Sequence, residues 1–499
     1  MTKKPKPMKF MDITIRDAQQ CLWATRMRTS EMTPIAQTID AAGFSVVDLT
    51  GGAAMDTAMM FLAEDPFERI RTLAELMPNS RLNFNTRGQS IFRWMQYADD
   101  VIDFTLGLMQ RNGIRSIMAF DALNDLRNIE HSVKVAKRLG LYVIGAFVYA
   151  SSPVHTIESF VQKVRELVAM GVDTIEIKDS CGILTPAVCE KLLPAVREAA
   201  QGLEVQLHSH CTTGHGVDVY RKALELGERG VDLFHCASRP LAYGFSLPSY
   251  HDVLDLLPQY GFESTLDRAA VDEMEAYFTM LTRRSGRPPG EIQPMQEGDL
   301  GHQAPGGMLS NLIQQLKDQG QEHRLPEVLE EIGRVREDLG YPIIVSPMAQ
   351  YVSTQSVLNV LCGERYQIVP QEIKQYVLGY YGQVPGTIDP KVRELIAGDE
   401  EGITVRPGEI IPPMMEQYRR ELRPYATDEE LALKIFYSAK TVEENRIARM
   451  NVRQWTHATN PASLLAKELL GRGNLEICEV RKKDFYFCVR DDAAAGAQA

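Results

Sequence analysis

Short apolar runs alternate with amphipathic stretches along the first 260 residues of the chain. Five of these runs follow a helix-like stretch and a glycine: AAGFSVVDLT, RNGIRSIMAF, RLGLYVIGAFVY, AMGVDTIEIKD and ERGVDLFHC. Glycine at this place suits the left-handed residue that ends a helix, and a short continuous apolar run is typical of a buried parallel strand. Together with MKFMDITIRD, RLNFNTRG and EVQLHSH, the pattern predicts eight strands by about residue 236.

Eight strands that alternate with helices predict an α/β protein with a (β/α)8 barrel, whose active site lies at the carboxyl ends of the strands. After about residue 260 the pattern becomes helical, for example in AVDEMEAYFTMLTRRSG, LSNLIQQLKDQG and LPEVLEEIGRVREDLG. We therefore expect the barrel over residues 1–300 and a mostly helical C-terminal domain over 301–470. Residues 471–499 are expected to form a short strand-like segment and a disordered tail.

The charge and composition of the chain limit the kinds of molecule that it is expected to bind. The formal net charge is −12, and no basic block is present, which argues against nucleic acid and anionic membranes as partners. The N-terminus lacks the apolar core of a signal peptide, and no run approaches the roughly 20 residues of a membrane span, so we expect no membrane insertion and a cytoplasmic location. The eight cysteines include no CxxC pair, which argues against a disulfide framework and a structural zinc module.

Polar side chains stand at the carboxyl ends of the predicted strands. In chain order they are Asp17, Thr50, Arg87, Asp121, Tyr149, Lys178, His208 with His210, and Cys236. Since residues i and i+2 of a strand face the same side, His208 and His210 are predicted to present two imidazoles to one point. An isolated HxH is more often a strand with satisfied histidines, but Asp17 and Lys178 are predicted on the same rim. Neutral imidazole with carboxylate suits zinc, manganese or cobalt.

Four cationic or amide side chains complete the predicted site. Lys178 cannot bind a metal as an ammonium ion, so this role requires either a pKa depressed by burial or conversion to a carbamate. The guanidinium fork of Arg87 matches a carboxylate, which predicts a substrate anchor. Arg16 and Gln20 flank Asp17 and either face the same pocket or satisfy backbone groups of the barrel.

Nine segments between about residue 8 and about residue 400 resemble the carboxyltransferase component of biotin-dependent 2-oxo acid enzymes. They are DITIRDAQQCLWATRMRT, GGAAMD, TRGQS, FDALNDLRN, SSPVHT, IEIKDSCG, HSHCTTG, HQAPGGMLSNL and TQSVLNVLCGERY. This family comprises pyruvate carboxylase, the α subunit of oxaloacetate decarboxylase and the pyruvate-specific subunit of transcarboxylase. The resemblance implies a barrel with a helical funnel-like domain, a divalent metal, and carboxyl transfer between carboxybiotin and pyruvate through an enolate.

The resemblance also implies residue roles. The metal ligands would be Asp17, carbamylated Lys178, His208 and His210. Catalytic roles fall on Ser346, Arg16, Gln20 and Lys178, with Ser346 exchanging a proton with biotin and Arg16 stabilising the enolate. The 2-oxo acid would be bound by Arg87, Gln20 and Arg16. The biotin pocket would include Asp56, Trp94 and Ala349.

The chain departs from the family on the side that faces biotin. Ala349 replaces a hydroxyl residue after the bulky Met348, and Trp94 replaces a tyrosine. Gln19 and Cys211 also replace a histidine and an aspartate of the family. These changes leave open a biotin-independent decarboxylase or aldolase- or lyase-type enzyme of the same metal-barrel superfamily, or a non-catalytic assembly subunit.

Partners follow from the same resemblance. The sequence shows neither a Met-Lys-Met biotin site nor an ATP-grasp region. We therefore expect biotin to be supplied by a separate carrier protein, together with a biotin carboxylase subunit, and we expect a homodimer.

Overall fold

All eight apolar runs form the strands of one closed parallel barrel, so the predicted fold class is confirmed. The strands are β1 (Lys6–Asp12), β2 (Val46–Gly51), β3 (Leu82–Arg87), β4 (Ser116–Phe120), β5 (Tyr142–Val148), β6 (Thr174–Asp179), β7 (Glu204–Ser209) and β8 (Leu233–Cys236). Neighbours pair in chain order, and β1 pairs with both β8 and β2, which closes the sheet. The computed structural model describes residues 5–93, 95–294, 303, 312–313, 316–317, 320–456, 477–482 and 485–490.

Helices connect the strands and cover the outside of the barrel. Short helices at Gln19–Trp23, Thr29–Met32 and Ala36–Ala41 join β1 to β2, and Gly52–Thr57 follows β2. The longer helices after β2 to β8 are Pro66–Leu76, Asp99–Arg111, Arg127–Arg138, Ile157–Met170, Pro186–Ala199, Gly216–Glu225 and Tyr250–Leu256. A ninth strand, β9 (Phe262–Ser264), pairs with the start of β1, and helix Arg268–Ser285 then packs against the barrel through the bond from Tyr277 Oη to the Glu31 carbonyl, 2.7 Å.

The glycines before the strands behave as predicted at four of five places. Gly43, Gly113, Gly140 and Gly171 have φ between 74° and 110°. The prediction is wrong for Gly230, which does not adopt a positive φ. A Cβ atom at Gly230 would lie 2.1 Å from the Ala223 carbonyl oxygen, so this position needs glycine for a close backbone approach.

The interior of the barrel is strongly polar below its carboxyl rim. Asn83 and Asn85 of β3 donate to Asp48 of β2, at 3.2 Å and 3.0 Å, and Ser116 of β4 donates to Asn83, at 3.0 Å. These residues are at most 3% exposed. Because every buried polar group requires a partner, such a network fixes the side chains that support the rim above it.

The C-terminal region is helical, as predicted, and packs on the carboxyl rim. Its helices are Leu325–Asp338, Met348–Cys362, Gln371–Val377, Pro390–Ala397, Pro407–Ile410, Met415–Glu421, Asp428–Phe436 and Ala439–Thr456. The backbone N–H of Gln383 donates to Asp125 after β4, and the thiol of Cys181 after β6 donates to the Ile344 carbonyl. Phe436 packs on Phe92, with ring centroids 4.3 Å apart. The helical region therefore forms one wall of any site on this rim.

Beyond these helices, Ile477–Lys482 and Phe485–Arg490 form an antiparallel hairpin, which accounts for the predicted strand-like segment. The predicted tail, 491–499, lies outside the described residues. Among the residues that the structure describes, no helix has the length and apolar character required to cross a membrane.

A bidentate ion pair joins the helical region to the barrel. Arg406 donates to both carboxylate oxygens of Asp99, at 2.9 and 2.6 Å, and also to Gln89. Although burial opposes its ionisation, the hydrogen bonds from Arg406 and Gln89 lower the pKa of Asp99.

Replacing Arg406 with alanine should lower the free energy of unfolding by about 1 to 2 kcal/mol, because the fork geometry is good and the pair is partly exposed. Since the pKa of Asp99 is depressed in the folded state, this difference should be present near neutral pH and shrink as the pH falls through and below its ordinary value of 3.8. Urea unfolding measures both effects. Arg334→Ala, which breaks an exposed pair with Glu330, is the control and should cost less than about 0.5 kcal/mol. An equal loss of unfolding free energy in the Arg406→Ala and Arg334→Ala variants would contradict a stabilising role of the Arg406–Asp99 pair beyond that of an exposed ion pair.

Candidate active site

Four potential ligand atoms converge at the carboxyl end of β6 and β7. His208 Nε2 lies 3.0 Å from His210 Nε2, 3.4 Å from Lys178 Nζ and 3.5 Å from Asp17 Oδ2. Lys178 and His208 are direct neighbours in the register of the two strands. All four residues are at most 5% exposed. The HxH pair therefore presents both imidazoles to one point, together with a carboxylate and an amine.

Asp17 reaches this point from a different element than predicted. It does not end β1, which stops at Asp12, but lies in a π-helical turn over Thr14–Ala18. Arg16 Nη1 contacts Asp17 Oδ2 at 2.9 Å and Asp48 Oδ2 at 3.4 Å. Burial opposes the ionisation of Asp17, but Arg16, His210 and Lys178 together hold its pKa well below the usual range. Asp17 is therefore an anion at neutral pH.

The two histidines are held differently. His210 Nδ1 lies 2.7 Å from the Phe245 carbonyl oxygen. Because a carbonyl only accepts, Nδ1 carries a proton, and the neutral tautomer of His210 that this bond selects has its unprotonated Nε2 toward the site. Burial, followed by the charges of Lys178 and His210, lowers the pKa of His208 well below its usual value, so that imidazole is neutral.

A second polar layer lies directly beneath the ligand atoms. His235 Nδ1 lies 3.1 Å from His208 Nδ1, and Glu176 Oε1 lies 3.5 Å from Lys178 Nζ. Burial lowers the pKa of His235 to about 3. Burial is also the largest cause of the raised pKa of Glu176. Cys236 ends β8, as predicted, but His235 is the β8 residue whose side chain contacts a candidate ligand, whereas the neighbouring Phe234 stacks on Tyr220 of an outer helix, with ring centroids 4.6 Å apart.

Two side chains near Asp17 have polar atoms available for a ligand. Arg16 Nε and Gln20 Oε1 are buried and have no hydrogen-bond partner within the described part of the chain. Arg87, at the end of β3, donates through one nitrogen to the Arg93 carbonyl at 2.7 Å. Burial lowers the pKa of Arg87, and the nearby Asp56 partly offsets this effect. A partly buried guanidinium of this kind is suited to an anionic substrate.

Of the residues predicted for a biotin pocket, Asp56 contacts the helical region and Ala349 belongs to its helix Met348–Cys362. Tyr437 Oη donates to Asp56 Oδ1 at 2.9 Å, and Gln350 Nε2 donates to Ser346 Oγ at 2.9 Å. Ala349 and Met348 are both 2% exposed. Trp94 lies outside the described residues.

The structure shows the contacts of Cys211 and Gln19, two residues that differ from the family pattern. Cys211 is buried, and a Cβ atom at Gly216 would lie 2.4 Å from its sulfur, so the thiol packs against the start of a helix. Gln19 Oε1 accepts from the Met27 N–H at 3.1 Å and thereby ties the loop that follows the π-helical turn. Cys21 donates to Asp17 Oδ1 at 3.4 Å, a contact that no sequence pattern indicated.

The donor set fits a divalent transition metal. Nitrogen and carboxylate ligands in a buried, compact group match the preferences of zinc, manganese and cobalt. Two groups of potential ligands occur in the described residues, Asp17 with Cys21 and His210, and Glu176 with His208 and His235. Sequence reasoning missed Cys21, Glu176 and His235. Only alternation within β6 and β8 could have indicated Glu176 and His235, since both lie inside apolar runs.

Comparison with protein families agrees with the two-part architecture. The HMGL-like family matches residues 7–234, and the conserved carboxylase domain family matches residues 300–467. A pyruvate carboxylase subunit of Methanocaldococcus jannaschii is 41% identical over 416 residues, which cover 83% of this chain and 73% of that protein. The methylmalonyl-CoA carboxyltransferase 5S subunit of Propionibacterium freudenreichii subsp. shermanii is 36% identical, with 84% and 82% covered. The 2-oxoglutarate carboxylase large subunit of Hydrogenobacter thermophilus is 34% identical, with 86% and 66% covered.

Solved structures show the same fold. The carboxyl transferase domain of Rhizobium etli pyruvate carboxylase with pyruvate superimposes with a TM-score of 0.81 at 25% identity, over 90% of this chain and 78% of that one. The same domain with oxamate and biotin gives a TM-score of 0.81 at 25% identity, over 89% and 78%.

Proposed function

Because the chain belongs to the family of biotin-dependent carboxyltransferases that includes subunits of pyruvate carboxylase and transcarboxylase, we propose that it moves a carboxyl group between carboxybiotin and a 2-oxo acid through an enolate. The 2-oxo acid is of the pyruvate and oxaloacetate type. The convergence of Asp17, Lys178 and His210 on His208 Nε2, within 3.5 Å, is the observation that carries this proposal.

A divalent metal would be held by Asp17, His208, His210 and Lys178, with Lys178 as a carbamate. When bound, zinc, manganese or cobalt acts as a Lewis acid that polarises the oxygen of a 2-oxo acid. Asp17 is already in the charge state that metal ligation requires, and the Phe245 carbonyl selects the His210 tautomer whose Nε2 can bind a metal. Lys178 is 5% exposed and lies beside Glu176, so its amine is held at the site rather than in solvent.

The cationic side chains would bind and stabilise the substrate. Arg87 would bind the carboxylate of the 2-oxo acid, since the fork of its guanidinium matches that group. Arg16 would stabilise the enolate oxygen, because it is fixed in place by Asp17 and Asp48 and costs no reorganisation during the reaction. Gln20 would assist in binding the 2-oxo acid, since its buried Oε1 has no partner within the described residues.

Ser346 would exchange the proton between the enolate and the ring nitrogen of biotin. Gln350 donates to the Ser346 oxygen, which leaves the hydroxyl hydrogen free to be given away. The contact of Cys181 with Ile344, at 3.2 Å, holds the segment that leads to Ser346 against the loop that follows Lys178. Asp56, fixed by Tyr437, would line the biotin pocket with Ala349 and Trp94.

Biotin would arrive on a separate carrier protein, and a biotin carboxylase subunit would recharge it. The relatives from Methanocaldococcus jannaschii and Hydrogenobacter thermophilus are each one subunit of a larger carboxylase, which supports separate partners for this chain as well. We also propose a homodimer and a cytoplasmic location, in line with the expectations from the sequence.

The proposal predicts that oxaloacetate decarboxylation by the isolated, metal-loaded chain is stimulated by free biotin. Stimulation is expected because biotin accepts the carboxyl group that leaves oxaloacetate. The rate is measured with and without biotin as release of pyruvate from oxaloacetate. Release of 2-oxoglutarate from oxalosuccinate, a second substrate, tests for a 2-oxoglutarate enzyme. Heat-denatured chain with the same metal is the control for non-enzymatic decarboxylation. Identical rates with and without biotin for both substrates would contradict biotin-dependent transfer and favour a biotin-independent decarboxylase.

A further inference from the structure

We propose that His235 and Gln206 are positioning residues that hold His208 in the tautomer whose bare Nε2 faces the metal site. The inference rests on the proposed function, since it concerns how one candidate ligand is prepared. A backbone carbonyl performs this task directly for His210. For His208 the same result is produced by a hydrogen-bond relay, a series of hydrogen-bonded side chains that crosses β6, β7 and β8.

The hydrogen-bond relay begins at a backbone carbonyl. Thr174 Oγ1 donates to the Glu204 carbonyl at 2.7 Å, which uses its only hydrogen. The hydroxyl can therefore only accept from Gln206, whose Nε2 lies 3.2 Å away. This contact settles the orientation of the Gln206 amide, so its Oε1 is directed toward His235.

The direction of every following bond is then determined. Gln206 Oε1 lies 2.9 Å from His235 Nε2, and because an amide oxygen only accepts, His235 carries its proton on Nε2. The Nδ1 of neutral His235 is consequently an acceptor. Its partner at 3.1 Å, His208 Nδ1, must be the donor. A neutral His208 that is protonated on Nδ1 has an unprotonated Nε2.

Burial keeps solvent away from the side chains of this hydrogen-bond relay. Thr174 and Gln206 are 0% exposed, His235 is 1% exposed and His208 is 2% exposed. No bulk water can therefore replace a missing partner. At the end of this hydrogen-bond relay, the unprotonated His208 Nε2 faces His210 Nε2 at 3.0 Å and the Lys178 amine at 3.4 Å. Its lone pair is therefore directed at the point where the other candidate ligand atoms meet.

Two substitutions of His235 separate a hydrogen-bonding role from a packing role. His235→Leu fills similar space but offers no acceptor to His208. His235→Asn places an amide oxygen near the original Nδ1 and can accept the same bond. The dissociation constants of Zn²⁺ and Co²⁺ are measured on the full chain by competition with a chelator. His235→Leu should weaken binding by about 10- to 100-fold, and His235→Asn should remain close to the unsubstituted protein.

Nitrogen-15 NMR of histidine-labelled, metal-free protein provides the readout that packing alone would not change. The Nδ1-protonated tautomer of His208 is expected in the unsubstituted chain and in His235→Asn. An Nε2-protonated His208, or unchanged metal affinity in a folded His235→Leu variant, would overturn the inference. Circular dichroism confirms folding, and His131→Leu on an outer helix serves as the matched histidine control. If the unsubstituted chain itself binds neither metal, the proposed function fails, whatever tautomer His208 adopts.

Discussion

Replacing His208 with alanine should abolish stoichiometric metal binding and lower the rate of carboxyl transfer by about 10²- to 10³-fold or more. His208 has the largest effect because its Nε2 is the atom around which the other three candidate ligand atoms are arranged, all within 3.5 Å. Its removal also leaves Lys178 and Asp17 with fewer partners in a buried site. Metal content of the dialysed protein, measured by mass spectrometry, and biotin-stimulated oxaloacetate decarboxylation test the two parts of this prediction.

His131→Ala is the matched control for His208→Ala. His131 lies on an outer helix and bonds Asp103 at 2.6 Å, away from the candidate ligands. This variant should keep full metal content and full activity. A His208→Ala protein that is folded and retains one metal ion per chain would show that the four residues are not the ligand set.

Arg87→Ala should raise the KM for the 2-oxo acid strongly, with a loss of about 1.5 to 3 kcal/mol, or roughly 10- to 150-fold in kcat/KM. The guanidinium is partly buried, and the carboxylate that it binds would be left without its charged partner. Because Arg87 also donates to the Arg93 carbonyl at 2.7 Å, part of its fork is fixed before substrate arrives. Steady-state kinetics with pyruvate or oxaloacetate measure the change.

Arg87→Lys distinguishes charge from geometry. Lysine keeps the positive charge but cannot form two parallel bonds to a carboxylate, so it should recover only part of the lost kcat/KM. Metal content should be unchanged in both variants, since Arg87 is not among the candidate ligands. An unchanged KM in Arg87→Ala would remove the substrate-anchor role.

The strands and the histidine pair could be predicted from the sequence because both depend on local periodicity. Each strand is a short apolar run of the kind that a buried parallel strand requires, and the i, i+2 spacing alone places His208 and His210 on one side. Lys178 lies opposite His208 because neighbouring parallel strands of a closed barrel bring their carboxyl ends together.

The remainder of the site depends on features that local periodicity does not contain. The π-helical turn that displaces Asp17 from the end of β1 has no separate sequence signature. Glu176 and His235 lie within apolar runs, where a charged or polar inward residue is masked by its neighbours. The bond between Asp56 and Tyr437 joins residues 381 positions apart, a separation at which only the folded structure identifies partners.

Closure of the barrel through β1 and β8 has a consequence for how the protein matures. β1 pairs with residues 233–236 of β8, so more than two hundred further residues must be synthesised after β1 before the barrel can close. Asp17 follows that first strand, whereas Lys178, His208 and His210 belong to β6 and β7 or follow them directly. The four candidate ligands therefore come together only when the barrel closes, and a metal ion held by them would bind only to the closed barrel. Such an ion would stabilise the closed state by mass action and so would link the metal supply of the cell to the lifetime of the folded enzyme.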